Sequence, residues 1–389
     1  MKRRSFLQHT GLAAFGTMLL PNFLQGRAFE QNSARRLIVV QLSGGNDGLN
    51  TLVPYRNDEY YKLRPKLGLK ATDLLPLDDQ QGFHLALKDL KTAYDQGDLC
   101  IYNSVGYPNP DRSHFRSMDI WHTASHSHEN LSTGWLGRYL DAHAQTAHQA
   151  LELDDSLSLA LKGKEKSGFA MTEPQKLQRL LRNPQMQRLL QTQHDISHEN
   201  LGYLQKTLLD TESSAAYLLS KSKLKATAGD YPNGAFGRDL QQAASLILGG
   251  CDTKIYYLSL GGFDTHAGQL GQHAKLLEQL NQGLAALAKD LKAAGQWQDT
   301  LVMIFSEFGR RVAENGSGGT DHGTANQVYL LGGGLTQKGI QNAPPNLSDL
   351  DQGDLKHQLD FRNIYAGILQ HWLKVEAKAI LNWQEAVKI

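Results

Sequence analysis

Two cysteines, Cys100 and Cys251, are all that the 389 residues contain. They cannot build a zinc ribbon, and they allow at most one disulfide, which the sequence leaves open. Asp98-Leu99-Cys100-Ile101-Tyr102 reads as a strand, which makes Cys100 a buried apolar thiol. An excess of one charge is missing too. Forty Lys and Arg stand against 39 Asp and Glu, so nothing draws nucleic acid or an anionic membrane to this chain. Aromatic residues make up 8% and are nowhere interleaved with a basic stripe. No run of eighteen apolar residues occurs after residue 25, which excludes a stable transmembrane anchor. The glycine-rich stretch Ser43-Gly44-Gly45-Asn46-Asp47-Gly48 is not followed by Gly-Lys-Ser/Thr, so it is no P-loop. Internal repeats and long low-complexity tracts are absent. The length admits one large α/β domain with insertions, or two domains.

The N-terminus carries a targeting pattern. Lys2-Arg3-Arg4-Ser5-Phe6-Leu7 is a twin-arginine pattern, Gly11 to Leu20 a short and mildly apolar run, and a small-residue stretch ends near Ala28. The expectation is a signal peptide over 1–30, export of the folded protein by the twin-arginine machinery, and a bacterial periplasmic location. Residues 31–389 remain for the fold.

Apolar runs alternate with polar clusters along that remainder. Arg36 to Leu42 is a near-continuous apolar run of the kind found in parallel sheets, and it ends at Asp47. A helical spacing over Leu85 to Tyr94, stopped by Gly97, leads to a strand at Leu99 to Asn103, giving a βαβ unit. Ser113 and His114 then open a helix that runs to about Thr123. A serine there is an ordinary N-cap, but it also meets unpaired N–H groups that favour a bound anion. His122, His126 and His128 read as a solvated cluster. Another helix is expected over Thr133 to His143, and one or two strands between Leu151 and Leu161. A helix-rich insertion follows at about 165–248. It opens with the capping-box spacing of Thr172-Glu173-Pro174-Gln175 and continues through Leu201 to Leu219 and Phe236 to Leu248. The sheet resumes at Lys254 to Leu260, ending in Gly261-Gly262-Phe263-Asp264-Thr265-His266. Asp264 and His266 are two apart, so an extended segment turns both the same way. A helix over Leu270 to Ala294 precedes the strand Leu301 to Phe305. That strand stops at Ser306-Glu307-Phe308-Gly309-Arg310, and Asp321-His322-Gly323-Thr324 precedes the next apolar run. Asp360 caps the last helix. Carboxylates, histidines and an arginine at successive strand ends are where open α/β sheets bind ligands.

The order Asp47, Ser113, Asp264 with His266, Glu307, and His322 with Thr324 nearby resembles the alkaline phosphatase superfamily, which includes sulfatases. More specifically, GGNDGLN, RSHF, TGWLGRYLD, GGFDTHAGQ, SEFGR, TDHGTA and DFRNIYA resemble the exported DUF1501 family of unknown function within it. The resemblance implies a three-layer α/β fold with a mainly parallel sheet between helices. It implies Asp47, Asp264, His266, Glu307 and His322 as metal ligands and Ser113 as nucleophile, with His114 and Arg310 as further catalytic groups. Two departures stand out. Glu307-Phe308 replaces an Asp-His pair, and Asp264 and His266 stand closer than the four-residue spacing of many relatives.

The implied function is hydrolysis of a phosphate or sulfate ester by an exported metal-dependent enzyme. The alternative is an inactive exported protein that uses the same crevice to bind an anion, a glycan or a partner. Two imidazoles and a carboxylate at Asp264, His266 and His322 suit one zinc-like divalent metal. The oxygen-only set of Asp47 and Glu307 leaves a second site weak or absent, with Arg310 standing in as the positive charge.

Overall fold

Residues 35–172, 179, 182–191, 199–223 and 225–389 are described by a computed structural model. Arg3 and Arg4, and with them the export signal, lie outside these residues, as do the expected helix-start positions 173–175.

Nine strands form the main sheet: β1 (Arg36–Ser43), β2 (Leu99–Gly106), β3 (Ala150–Glu152), β4 (Phe169–Ala170), β5 (Ile255–Gly261), β6 (Thr300–Phe305), β7 (Asn326–Leu331), β8 (Gly339–Ile340) and β9 (Leu359–Asp360). Their order is β8-β2-β7-β6-β1-β5-β3-β4, with β9 also paired to β2. All pairings are parallel except those of β7, which runs against both β2 and β6. β1 lies at the centre, in register with β5 through Leu37↔Ile255 and with β6 through Leu37↔Leu301.

The apolar run of β1 is continuous because both of its faces are covered. Ile38, Val40 and Leu42 enter one core, and Leu37 and Val39 enter the other. The first core takes residues from helices α1 (Lys88–Gln96), α3 (Ala235–Leu248) and α4 (Gln269–Ala293), and Leu218 from the helix Glu199–Ser222. The second takes residues from α2 (His114–Thr123) and α5 (Phe361–Gly367). Each such side chain fully buried contributes about 1.5–3 kcal/mol. This is the three-layer α/β architecture read from the sequence.

Local signals hold at several ends. Gly97 closes α1 in the left-handed conformation, φ +76°. Asp360 caps α5, its carboxylate accepting from Arg362 N–H at 3.0 Å. Pro184 starts a helix, Pro184–Gln191, and further helices run over Glu199–Ser222 and Ala235–Leu248. Between β3 and β4 the expected second strand is a short 3₁₀ turn at Leu159–Leu161. Both cysteines are buried free thiols. His122 is buried instead of solvated, with Nε2 3.2 Å from Gln41 Oε1 and 3.0 Å from Tyr257 Oη.

Candidate metal centre

The polar strand ends meet at one edge of the sheet. Strands β1, β5 and β6 finish there, and β7, being antiparallel, starts there. The loops approach very closely. A Cβ on Gly44 would sit 2.5 Å from the Asp264 nitrogen, and its φ of +113° is one that side chains rarely adopt, so glycine is required. Gly44 N–H donates to Glu307 Oε1 at 2.8 Å, and Ser306 Oγ donates to the Leu42 carbonyl at 2.6 Å. These bonds lock the ends of β1 and β6 together.

Three donor atoms converge at this edge, His114 Nε2, His322 Nε2 and Asp264 Oδ1, with His266 Nε2 beside the last two. His322 Nε2 lies 3.1 Å from His114 Nε2, 3.0 Å from His266 Nε2 and 3.1 Å from Asp264 Oδ1. His266 Nε2 is 3.0 Å and His114 Nε2 3.6 Å from the same Asp264 oxygen. Behind each imidazole stands an oxygen acceptor. His114 Nδ1 faces Glu307 Oε1 at 2.8 Å, His266 Nδ1 faces Asp321 Oδ1 at 3.3 Å, and His322 Nδ1 faces the Arg112 carbonyl at 2.9 Å. Carbonyls and ionised carboxylates only accept, so the protons belong on the Nδ1 atoms and the lone pairs on the Nε2 atoms. The Nε2 lone pairs of His114 and His322 and the Asp264 oxygen then crowd together, with His266 Nε2 beside them, which is repulsive unless a cation lies among them.

The donor set fits a divalent metal. Metal–ligand bonds of about 2.0–2.1 Å put tetrahedral ligand atoms roughly 3.3–3.4 Å apart, and His114 Nε2, His322 Nε2 and Asp264 Oδ1 are separated by 3.1, 3.1 and 3.6 Å. Two imidazoles with one carboxylate, and a third imidazole beside them, suit zinc or a similar borderline ion. Acceptors behind ligating histidines fix tautomer and orientation in such sites. The centre is open, since the side chains of His114, Asp264, His266 and His322 are 26%, 49%, 45% and 25% exposed. Room therefore remains for an oxygen from water or substrate.

Electrostatics keep the carboxylate ligand charged. Burial pushes the Asp264 carboxyl up, but the hydrogen bond and charge of Arg310, with the neighbouring imidazoles, outweigh it and bring the group down to about 2. The hydrogen bond to Glu307 raises the His114 imidazole above its ordinary value. Phe308 is no ligand. Its ring packs at centroid distances of 4.7 Å from His114 and 4.9 Å from His322, walling the centre on one side.

The structure thus redistributes the residues singled out in the sequence. Asp264, His266 and His322 lie side by side, and His114, where a catalytic group was expected, forms the compact set with Asp264 and His322. Glu307 stands behind His114, with its other oxygen 3.2 Å from Ser306 Oγ, and so orients a ligand. Asp47 is elsewhere: it is buried, accepts from Arg64 Nη1 at 2.6 Å, and also accepts from the Gln269 amide. Arg310, expected to clamp an anion, is buried. Its guanidinium donates to Gly45 O at 2.7 Å, Thr320 O at 2.9 Å, Phe263 O at 3.0 Å and Asp264 Oδ1 at 2.6 Å, and to Gly44 O as well. It holds the loops and the carboxylate ligand in place. Ser113 is exposed at the N-cap of α2, directly before His114, and its side chain makes no capping hydrogen bond. Asp321 and the Arg112 carbonyl were not foreseen. The position of Asp321 beside His322 was a usable signal, whereas a backbone carbonyl leaves none.

The family model described as protein of unknown function (DUF1501) matches residues 101–369. No curated protein matches the chain. Among solved structures, Ps i-CgsB in complex with k-i-k-neocarrahexaose overlays with a TM-score of 0.44 at 11% identity, over 90% of this chain and 75% of that one. The phosphonate monoester hydrolase SpPMH from Silicibacter pomeroyi overlays at 0.39 and 11% identity, over 91% and 76%. A protein in the alkaline phosphatase superfamily from Vibrio parahaemolyticus overlays at 0.36 and 10% identity, over 91% and 70%. The functional reading is carried by the side chains and not by these likenesses.

Proposed function

This chain belongs to the DUF1501 family, and from the centre built above we propose that it is an exported, metal-dependent hydrolase of a phosphate or sulfate ester. The observation that carries the reading is the convergence of His114, His322 and Asp264, with His266 beside them and each imidazole backed by an acceptor. A divalent metal held there would act as a Lewis acid toward the anionic ester and lower the pKa of an oxygen bound beside it.

The remaining work falls to the chain itself. Ser113 Oγ, exposed and uncommitted, is the nucleophile that bonds to phosphorus or sulfur as the alcohol departs. Its place at the start of a ten-residue helix puts it near N–H groups that favour negative charge. Asp264 balances the cation's charge, and Arg310 keeps Asp264 ionised and in place. Glu307, Asp321 and the Arg112 carbonyl hold the three imidazoles with their Nε2 atoms inward.

Zinc- or manganese-loaded protein should therefore turn over chromogenic phosphate or sulfate esters. Ser113→Ala should lower that rate at least about a thousandfold while leaving metal content unchanged, the loss typical of a removed nucleophile. Undiminished turnover by that variant would take the nucleophile role from Ser113.

One observation favours a second reading, an exported binding protein. Arg310 and Asp47 are both committed inside the protein, so groups the resemblance assigned to the reaction are not free for it. A fully loaded protein that binds oxyanions and cleaves no ester in the screen would fit that reading. Export is testable separately. Changing Arg3 and Arg4 to lysine should leave the protein unprocessed in the cytoplasm of a host with the twin-arginine pathway, and normal periplasmic accumulation would contradict it. Among the described residues no helix is long and apolar enough to cross a membrane.

A further inference from the structure

A cavity of about 280 Å³ is lined by Phe308, whose ring also packs against the His114 and His322 imidazoles. Phe308 is its shared wall, and Asp111, whose Oδ1 accepts from Ser113 N–H at 2.7 Å, stands at its mouth. Tyr107 and Trp121 supply aromatic surface, and Asp111, Lys356 and His357 a polar rim. The volume is at the small end for ligand sites, close to that of a single ring.

Trp121 carries the sharpest clue. It is 2% exposed and stacks on Phe305 and Phe361, with centroid distances of 5.0 and 4.4 Å. Trp121 also lines the cavity. The indole Nε1–H, buried, has no hydrogen-bond partner. A buried donor without an acceptor is costly, so this one calls for water in the free protein and for a ligand oxygen when the cavity fills.

We propose that the cavity receives the alcohol half of the ester, and that this half is a saccharide ring. The inference rests on the ester-hydrolase reading. An ester whose phosphorus or sulfur sits at Ser113 Oγ has Phe308 and Asp111 next to it, and its alcohol enters the space they border. A sugar presents an apolar face and a ring of hydroxyls. The first matches Tyr107 and Phe308. The hydroxyls match the indole donor, the Asp111 acceptor and the His357 rim. A plain aryl alcohol would leave the rim unused.

The test separates binding from turnover. Methyl glucoside, methyl galactoside and phenol, none of which carries an ester, are titrated against the full chain by ligand-observed NMR. Wild type and His322→Ala, which lacks the metal site, should bind a glycoside alike. Trp121→Phe keeps the stacking and removes the N–H, so its affinity should fall about fivefold, the worth of one hydrogen bond. His357→Ala, on the exposed rim, should weaken binding in the same direction and serves where Trp121→Phe does not fold. Absence of glycoside binding by wild type, undiminished affinity in a folded Trp121→Phe or in His357→Ala, or a preference for phenol would overturn the proposal. Should glycosides bind as stated while no ester is cleaved, the saccharide site stands and the hydrolase reading falls.

Discussion

Replacing His322 with alanine should take the protein from one tightly held metal to none. His322 Nε2 is the hub of the centre, within 3.1 Å of each of the other three donor atoms. Its loss removes a ligand and opens the gap between His114 and His266 at once. Outer partners of ligands typically matter 10–100-fold in affinity, and a central ligand matters more. The fold should survive, because His322 is partly exposed and its other nitrogen meets only the Arg112 carbonyl. Equilibrium dialysis against zinc, with circular dichroism alongside, reads both effects. Retention of a full equivalent by folded His322→Ala would show that the converging histidines do not form the site.

The second large effect is on stability. Arg64 and Asp47 form an ion pair of 2.6 Å with side chains 0% and 1% exposed. Arg64 also donates to Asn50 Oδ1 at 2.8 Å, Val312 O at 2.7 Å and Arg311 O at 2.8 Å. Arg64→Met leaves a buried carboxylate without its counterion, a change that costs about 3–5 kcal/mol. Adding Asp47→Asn should recover part of the loss, since the stranded charge is then gone. The pH dependence has a definite sign. Burial pushes the Asp47 carboxyl up, but the charge and hydrogen bond of Arg64, with His273 and the Gln269 amide, outweigh it and leave it below the ordinary value. A group that titrates lower folded than unfolded stabilises fully above its unfolded pKa of about 3.9 and loses that contribution as pH falls through the folded one. Wild type should thus lose stability on acidification below about pH 4 more steeply than Arg64→Met. A cost under about 1 kcal/mol for Arg64→Met would contradict the buried-pair account.

How far the sequence led depends on which residues are considered. The ends of β5 and β6 could be read because an apolar run that stops at glycine or charge marks a strand end locally. The pairing of Asp264 with His266 followed from extended-chain alternation, and their 3.0 Å approach agrees with it. Asp47 looked like another ligand for the same reason, since it follows β1 in a glycine-rich loop. What decides its role is Arg64, at the end of a short helix, Asp58–Leu63, that packs back on the loop. No local pattern announces a partner brought in by tertiary folding. Arg310 failed similarly. Its position after β6 was right, but five oxygens around its guanidinium belong to the loops and Asp264 and appear only once the loops pack. Phe308, read as a missing imidazole, is a wall shared by the centre and the cavity beside it.

The expectation is that this edge of the sheet holds one metal. Asp264, His114 and His322 supply one donor set, with His266 beside it, while Asp47 and Glu307, the candidates for a second, are engaged with Arg64 and with His114. Elemental analysis of zinc-loaded protein after gentle dialysis measures this directly. A ratio near one metal per chain is the predicted result. Two tightly held metals, or none after full loading, would contradict it.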